Sequence, residues 1–202
     1  MNVYLETNFV LELALVQEQQ ASCEEILQLS EARSIDLVIP SYCLVEPYET
    51  LIRRHRQRKR MKADLDAEMG QLIRTATYSD RLRGFQDLTA LLIDSADEEA
   101  KRLEELRRRL LVSSHVVPLD TDCLSAAAQY QERHDLSPQD SMVYASVMAH
   151  LARSGPTESC FLNRNSKDFD DPDLVDELRQ HGCRLIPRFD DGLDHIRSQT
   201  ES

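Results

Sequence analysis

Short apolar runs alternate with longer segments of helical periodicity along most of this chain, and that alternation constrains the fold more than any other feature. Val3-Tyr4-Leu5-Glu6 opens it, and Ile35-Asp36-Leu37-Val38-Ile39-Pro40, Val116-Val117-Pro118-Leu119, Ser159-Cys160-Phe161-Leu162 and Cys183-Arg184-Leu185-Ile186 repeat it. Between them, helical spacing is predicted from about Asn8 to Val16 and from about Ala21 to Ala32. Further helices are predicted from Ser41 (as N-cap) through Ile52, from Thr121 to His134, from Ser137-Pro138 to Ala152, and from Pro172 to Gln180. Apolar strands alternating with helices call for a parallel sheet covered on both faces, the three-layer α/β/α class. The tail after Pro187 is polar and reads as loose.

Residues 53–112 break the rhythm. They are highly charged, with sparse apolar positions such as Met61, Leu65, Met69, Leu103, Leu106 and Leu110. This segment reads as a helical arm or hairpin inserted in a single domain, with Gly84 and Tyr78-Ser79-Asp80 as turn candidates.

Ligands in parallel α/β sheets sit beyond the carboxyl ends of the strands. Glu6 ends the first strand, and Asn163, Asn165 and Asp168 follow the fourth. Glu46 and Asp140 lie in early turns of helices that start near the same edge. Four carboxylates therefore converge at one end of the sheet. Anions gathered this way destabilise one another unless a cation neutralises them. Oxygen ligands suit Mg²⁺ or Mn²⁺, and such a site suits phosphodiester hydrolysis.

Each acid also has a plainer reading. Ser137-Pro138-Gln139-Asp140 matches an N-cap, a proline at the first helical position and an acid in the first turn. Glu46 alone reads as a solvated helix residue, with Pro47 tolerated in a first turn. Asp168 competes with Asp170, Asp171 and Asp173. Glu6 is harder to assign to stability, because a charge ending a buried strand is costly.

These segments resemble the PIN-domain family. Val3-Tyr4-Leu5-Glu6-Thr7-Asn8 is similar to its opening, Tyr42-Cys43-Leu44-Val45-Glu46 to its second motif, and Leu136-Ser137-Pro138-Gln139-Asp140-Ser141 to its third. Phe161-Leu162-Asn163-Arg164-Asn165-Ser166-Lys167-Asp168-Phe169 resembles the fourth. They stand in family order and cover the chain outside 53–112. The resemblance implies a metal-dependent endoribonuclease, as in toxins of toxin–antitoxin pairs, with an antitoxin protein and a second copy of the chain as expected partners. It implies Glu6, Glu46 and Asp140 as Mg²⁺ or Mn²⁺ ligands, and Asp168 completing the site directly or through water. Asn165 would orient a ligand or the scissile phosphate, and Thr7 and Asn8 would support the first acid. The sequence departs from the family at position 6, where Glu stands for the usual Asp, and in the length of the 53–112 segment.

Arg53, Arg54, Arg56, Arg58, Lys59 and Arg60 belong to a run in which seven of ten residues, 53 to 62, are Lys or Arg. It reads either as a track for RNA phosphates or as a partner for acidic surface such as Asp94 to Glu105. Lys+Arg 24 against Asp+Glu 36 gives a formal charge of −12, which argues against a protein that merely coats nucleic acid. No aromatic residue interleaves the run, so base stacking is not indicated. Arg107-Arg108-Arg109 suits either a helix C-terminus or an RNA contact.

The five cysteines have no CxxC spacing and read as reduced, buried thiols of a cytoplasmic protein. The first residues lack the pattern of a signal peptide, and no apolar run reaches membrane-spanning length. Phosphate-binding glycine loops, paired zinc-ligating histidines and nucleophile elbows are absent from the sequence. The alternative to a ribonuclease is a PIN-like interaction protein that binds a protein partner through the helical arm.

Overall fold

A computed structural model describes residues 1–75, 85–155, 157–164, 169 and 171–200. Five parallel strands form one sheet in the order β3-β2-β1-β4-β5. They are β1 (Asn2–Leu5), β2 (Asp36–Pro40), β3 (Ser114–Val117), β4 (Ser159–Leu162) and β5 (Cys183–Ile186). All four residues of β1 and of β4 are buried. Covered on both faces, these strands read as continuous apolar runs without alternation. Val3 sits in register with Leu37 on one side and Cys160 on the other.

The eight described helices are α1 (Thr7–Leu15), α2 (Gln20–Glu31), α3 (Glu46–Leu72), α4 (Phe85–Ser113), α5 (Thr121–His134), α6 (Pro138–Ser154), α7 (Pro172–Gln180) and α8 (Phe189–Thr200). Helices α1, α2, α4 and α8 pack together as one layer, and α5 packs on α6 in the other. Tyr144 of α6 donates to Glu177 of α7 at 2.9 Å, which ties α7 to the α5–α6 side. The result is a three-layer α/β/α arrangement. From β1 the chain builds outward through β2 to β3, then returns to pair β4 on the other flank of β1. The crevice above the carboxyl ends of β1 and β4 is the switch point at which such sheets bind ligands.

Several expectations change. Ser41 does not cap a helix: Ser41–Leu44 is a 3-10 turn, and the Ser41 hydroxyl accepts from Leu119 N at 3.1 Å. Helix α3 starts later, at Glu46, with Pro47 in its first turn and no side-chain cap. Strand β3 lies two residues upstream of Val116–Leu119, because Pro118 cannot donate to the ladder and pairing ends at Val117 with Pro40. The polar tail is helical. Phe189, Leu193 and Ile196 form the buried stripe of α8, and the Phe189 ring meets Phe9 edge-on at 5.5 Å. Gly192 lets α8 approach β4, since a Cβ there would stand 2.6 Å from Leu162 Cδ2. The turn candidates Gly84 and Tyr78-Ser79-Asp80 lie outside the described residues.

Helices α3 and α4 pack on each other along the charged segment. Leu103, Leu106 and Leu110 of α4 belong to the core, so the second half of α4 is also a layer of the sheet's cover. Arg109, four residues before the end of α4, joins Glu24 and Glu31 of α2 at 2.7 and 2.8 Å. Arg107 bonds Glu104 at 3.0 Å and lies over the Tyr48 ring. Arg108 pairs with Glu105 at 2.6 Å. With α4 running on to Ser113, these arginines occupy ion pairs and not a helix terminus. All five cysteines are buried and free.

Candidate active site

Glu6 leaves the central strand and becomes the N-cap of α1, its backbone extended at φ −119° and ψ 177°. One carboxylate oxygen accepts from Asn8 N at 2.8 Å, and the other accepts from Arg164 N, just beyond β4, at 3.2 Å. The side chain therefore spans the crevice between the two strands. Glu6 is only 6% exposed. Burial pushes its carboxyl up to about 7, the hydrogen bonds from Asn8 and Arg164 oppose the shift, and the charge of Asp140 adds to it.

Thr7 donates its hydroxyl to Glu46 Oε2 at 2.5 Å. This bond links the start of α1 to the start of α3. Glu46 is also held above the usual carboxylate range, first by burial and then by the charges of Asp140 and Glu49, while Thr7 and Arg53 oppose. Asp140 stands in the first turn of α6. Its N–H donates to the Ser137 hydroxyl oxygen at 3.1 Å, and that hydroxyl donates to Asp140 Oδ2 at 2.5 Å. The capping role and a place in the acidic group coexist, because Asp140 repels both Glu6 and Glu46.

The fold thus brings Glu6, Glu46 and Asp140, with Thr7 and Asn8, to one end of the sheet. Asp168 and Asn165 lie outside the described residues. Among the described residues, no three His, Cys, Asp or Glu side chains are grouped closely enough to hold a metal ion as they stand. Glu46 and Asp140 are each turned onto a hydroxyl. The donor chemistry nevertheless fits a hard divalent cation. The groups are carboxylates, one nearly dehydrated, and their mutual repulsion is what a cation relieves.

The basic run divides by helix face. Arg53, Arg56 and Arg60 line a groove of about 720 Å³ together with Tyr42, Glu46, Glu49 and Gln139. These three arginines form no ion pair among the described residues. Arg58 faces the other way and grips Glu99 of α4 with two hydrogen bonds of 2.9 and 2.8 Å. Arg54 and Lys59 do not line the groove. The groove brings Gln139, the neighbour of Asp140, onto the same wall as Glu46.

Sequence reasoning passed over Glu12 and Arg164 as a pair. Glu12 is completely buried in α1, accepts from Gln19 N at 3.0 Å, and forms an ion pair with the Arg164 guanidinium. Arg164 therefore holds Glu6 through its backbone and Glu12 through its side chain. A carboxylate on the apolar face of α1, between Phe9 and Leu13, was the available signal. Among the described residues, Tyr42 is the one aromatic in the groove, and it lies upstream of the basic run.

Comparisons with known proteins identify the family. No curated protein matches the chain. A solved structure of VapBC2 from Rickettsia felis bound to a DNA fragment from their promoter shares 10% identity, covering 92% of this chain and 98% of that one, with a TM-score of 0.46. No helix among the described residues is long and apolar enough to cross a membrane. The family model of the PIN domain matches residues 3–169, which contain all four acidic motifs and both crevice strands; this chain belongs to the PIN-domain family.

Proposed function

We propose that this chain is a divalent-metal-dependent endoribonuclease that hydrolyses RNA phosphodiester bonds with Glu6, Glu46, Asp140 and Asp168. PIN domains are generally nucleases. The observation that carries the reading is Glu6: a nearly dehydrated carboxyl at the switch point of a parallel sheet, raised to about 7 and repelled by Asp140. Stability alone gives no reason to put an acid there. Glu6, Glu46 and Asp140 would hold Mg²⁺ or Mn²⁺, with Asp168 as the fourth acid and Asn165 orienting the phosphate. Such an ion supplies charge neutralisation and activation of water for attack at phosphorus. The chain's own groups set the stage. Asn8 and Arg164 N–H fix Glu6, the Thr7 hydroxyl aims Glu46, and the Ser137 hydroxyl aims Asp140. The reading includes a single PIN-like domain with 53–112 as its helical arm, acting in the cytoplasm as the toxin of a toxin–antitoxin pair and assembling with an antitoxin and a second copy. That part rests on the motif resemblance.

The test is cleavage of single-stranded RNA with Mg²⁺ or Mn²⁺, with Asp140→Asn as the control. We expect metal-dependent cleavage that falls at least about a hundredfold in the variant, since loss of a ligand should exceed the roughly 10–100-fold cost of losing an outer-shell partner. Equal cleavage by both proteins, or no binding of either ion in calorimetry, sinks the reading. A second reading, a PIN-like module that binds a protein through the α3–α4 arm, is favoured by one observation. Glu46 and Asp140 are engaged with hydroxyls and do not form a ready metal shell among the described residues.

A further inference from the structure

We infer that one face of α3 is a phosphate ladder for a single RNA strand: Arg53, Arg56 and Arg60 hold successive phosphates leading away from the acidic site, while Arg54, Arg58 and Lys59 do not. The inference rests on the ribonuclease reading and deepens it by naming which part of the substrate the protein grips. The chain carries a formal charge of −12, so a polyanion needs a local cationic surface to approach. Three guanidiniums without ion pairs among the described residues, all on the wall of one groove, supply it.

Helix geometry explains the selection. Positions 53, 56 and 60 are spaced three and four residues apart and share a face, whereas 54 and 58 turn away. Arg58 is already consumed by Glu99, at 2.8 Å with both side chains largely buried. The charge along the groove is polarised. Glu46 and Glu49 stand at the end near the sheet, and the arginines follow toward the far end. A phosphate strand is repelled at the acidic end without a cation and attracted at the other, so the groove orients it. From Glu46 to Arg60 the helix rises roughly 21 Å. That length matches about six stacked nucleotides at ~3.4 Å each. The ladder therefore reaches several nucleotides to one side of the cut, and not to both.

The ladder is tested with two double variants of equal charge, both at surface positions that leave the core untouched. Arg56→Gln with Arg60→Gln removes two rungs. Arg54→Gln with Lys59→Gln removes two charges of the same run off the groove. Binding of a fluorescent 12-nucleotide RNA is measured by anisotropy in EDTA across a salt series. We expect the first pair to weaken binding at least tenfold and to reduce the slope of log K against log salt by about 1.4, two contacts at ~0.7 each. The second pair should stay within twofold of wild type. Shortening the RNA on one side of the cleavage position should mimic the first pair, and shortening the other side should not. Equal losses from both pairs, or symmetric dependence on RNA length, overturn the ladder. Cleavage of the same RNA with Mn²⁺, run in parallel, separates the two readings. Cleavage that persists with equal losses in the two pairs removes only the ladder. Rung-selective binding without cleavage supports the ladder and removes only the hydrolytic reading.

Discussion

Glu12 is tied through Arg164 to a site it does not touch. Its carboxylate is fully buried and has two protein partners, Gln19 N and the Arg164 guanidinium. Arg164 is about one-third exposed and also reaches Glu18 at 3.2 Å, so the pair is not sealed from water. Glu12→Gln leaves Arg164 without its buried counter-charge. We expect a loss of about 2 kcal/mol in urea denaturation, below the ~3–5 kcal/mol for breaking a fully buried pair. Because Arg164 N also holds Glu6, the same variant should weaken Mn²⁺ binding in calorimetry. Unchanged stability and unchanged binding together would show that the pair is idle. The partners were hard to foresee for a simple reason. Glu12 follows one strand end and Arg164 another, and only the β1–β4 pairing brings those ends together. Glu6 was readable because it directly ends an apolar run, and Asp140 because Ser137-Pro138 marks a helix start.

At the scale of elements, periodicity revealed what packing against the sheet requires and little of what packing between charged helices requires. Strands β4 and β5 and helix α7 stand where the apolar runs and the Pro172 start signal placed them. Helix α8 was hidden because its stripe of Phe189, Leu193 and Ile196 is embedded in Asp190, Asp191, Asp194 and Arg197. The α3–α4 pair was hidden differently: its contacts include the Arg58–Glu99 ion pair, and composition does not tell a paired charge from a free one. Arg58 and Arg54 make the distinction measurable. Arg58 bonds both Glu99 oxygens and lies 3.2 Å from Ser95 Oγ, with its side chain 19% exposed. Arg58→Gln should cost about 2 kcal/mol, since Glu99 is then left buried and unmatched. Amide exchange in α3 and α4 should quicken around residues 58 and 99. Arg54→Gln should stay within ~0.5 kcal/mol, as surface changes do. If both variants behave alike, the α3–α4 packing does not depend on this pair.

For the whole molecule, the buried acid of the site costs folding stability, and the cation proposed for it would offset that cost. The Glu6 carboxyl is raised from 4.5 to about 7 chiefly by burial. Between those two values the folded protein keeps a proton that the unfolded chain has released. Stability then falls as pH rises through that window, the opposite of the behaviour of a salt-bridged acid whose value is lowered. The shift corresponds to at most about 3 kcal/mol at ~1.36 kcal/mol per pH unit, present below pH ~4.5 and lost above ~7. Other carboxylates add their own slopes, so the informative comparison is with Glu6→Gln, which cannot ionise. Thermal melts in EDTA at pH 5 and pH 8 should show a larger drop in wild type than in the variant. Because each Glu6 oxygen accepts from a different N–H, the amide NH₂ of the variant must face one of them, which lowers its stability at every pH and leaves its pH dependence flatter than that of wild type. Mn²⁺ at a hundredfold excess over its dissociation constant should return about 2.7 kcal/mol to wild type and much less to the variant. An identical pH dependence in the two proteins would mean that Glu6 is not the group being strained. A matching rise with Mn²⁺ in both would place the cation elsewhere. The folded chain is thus expected to gain most from the cation at the pH where the acids repel one another most, which ties its stability to the function we propose for it.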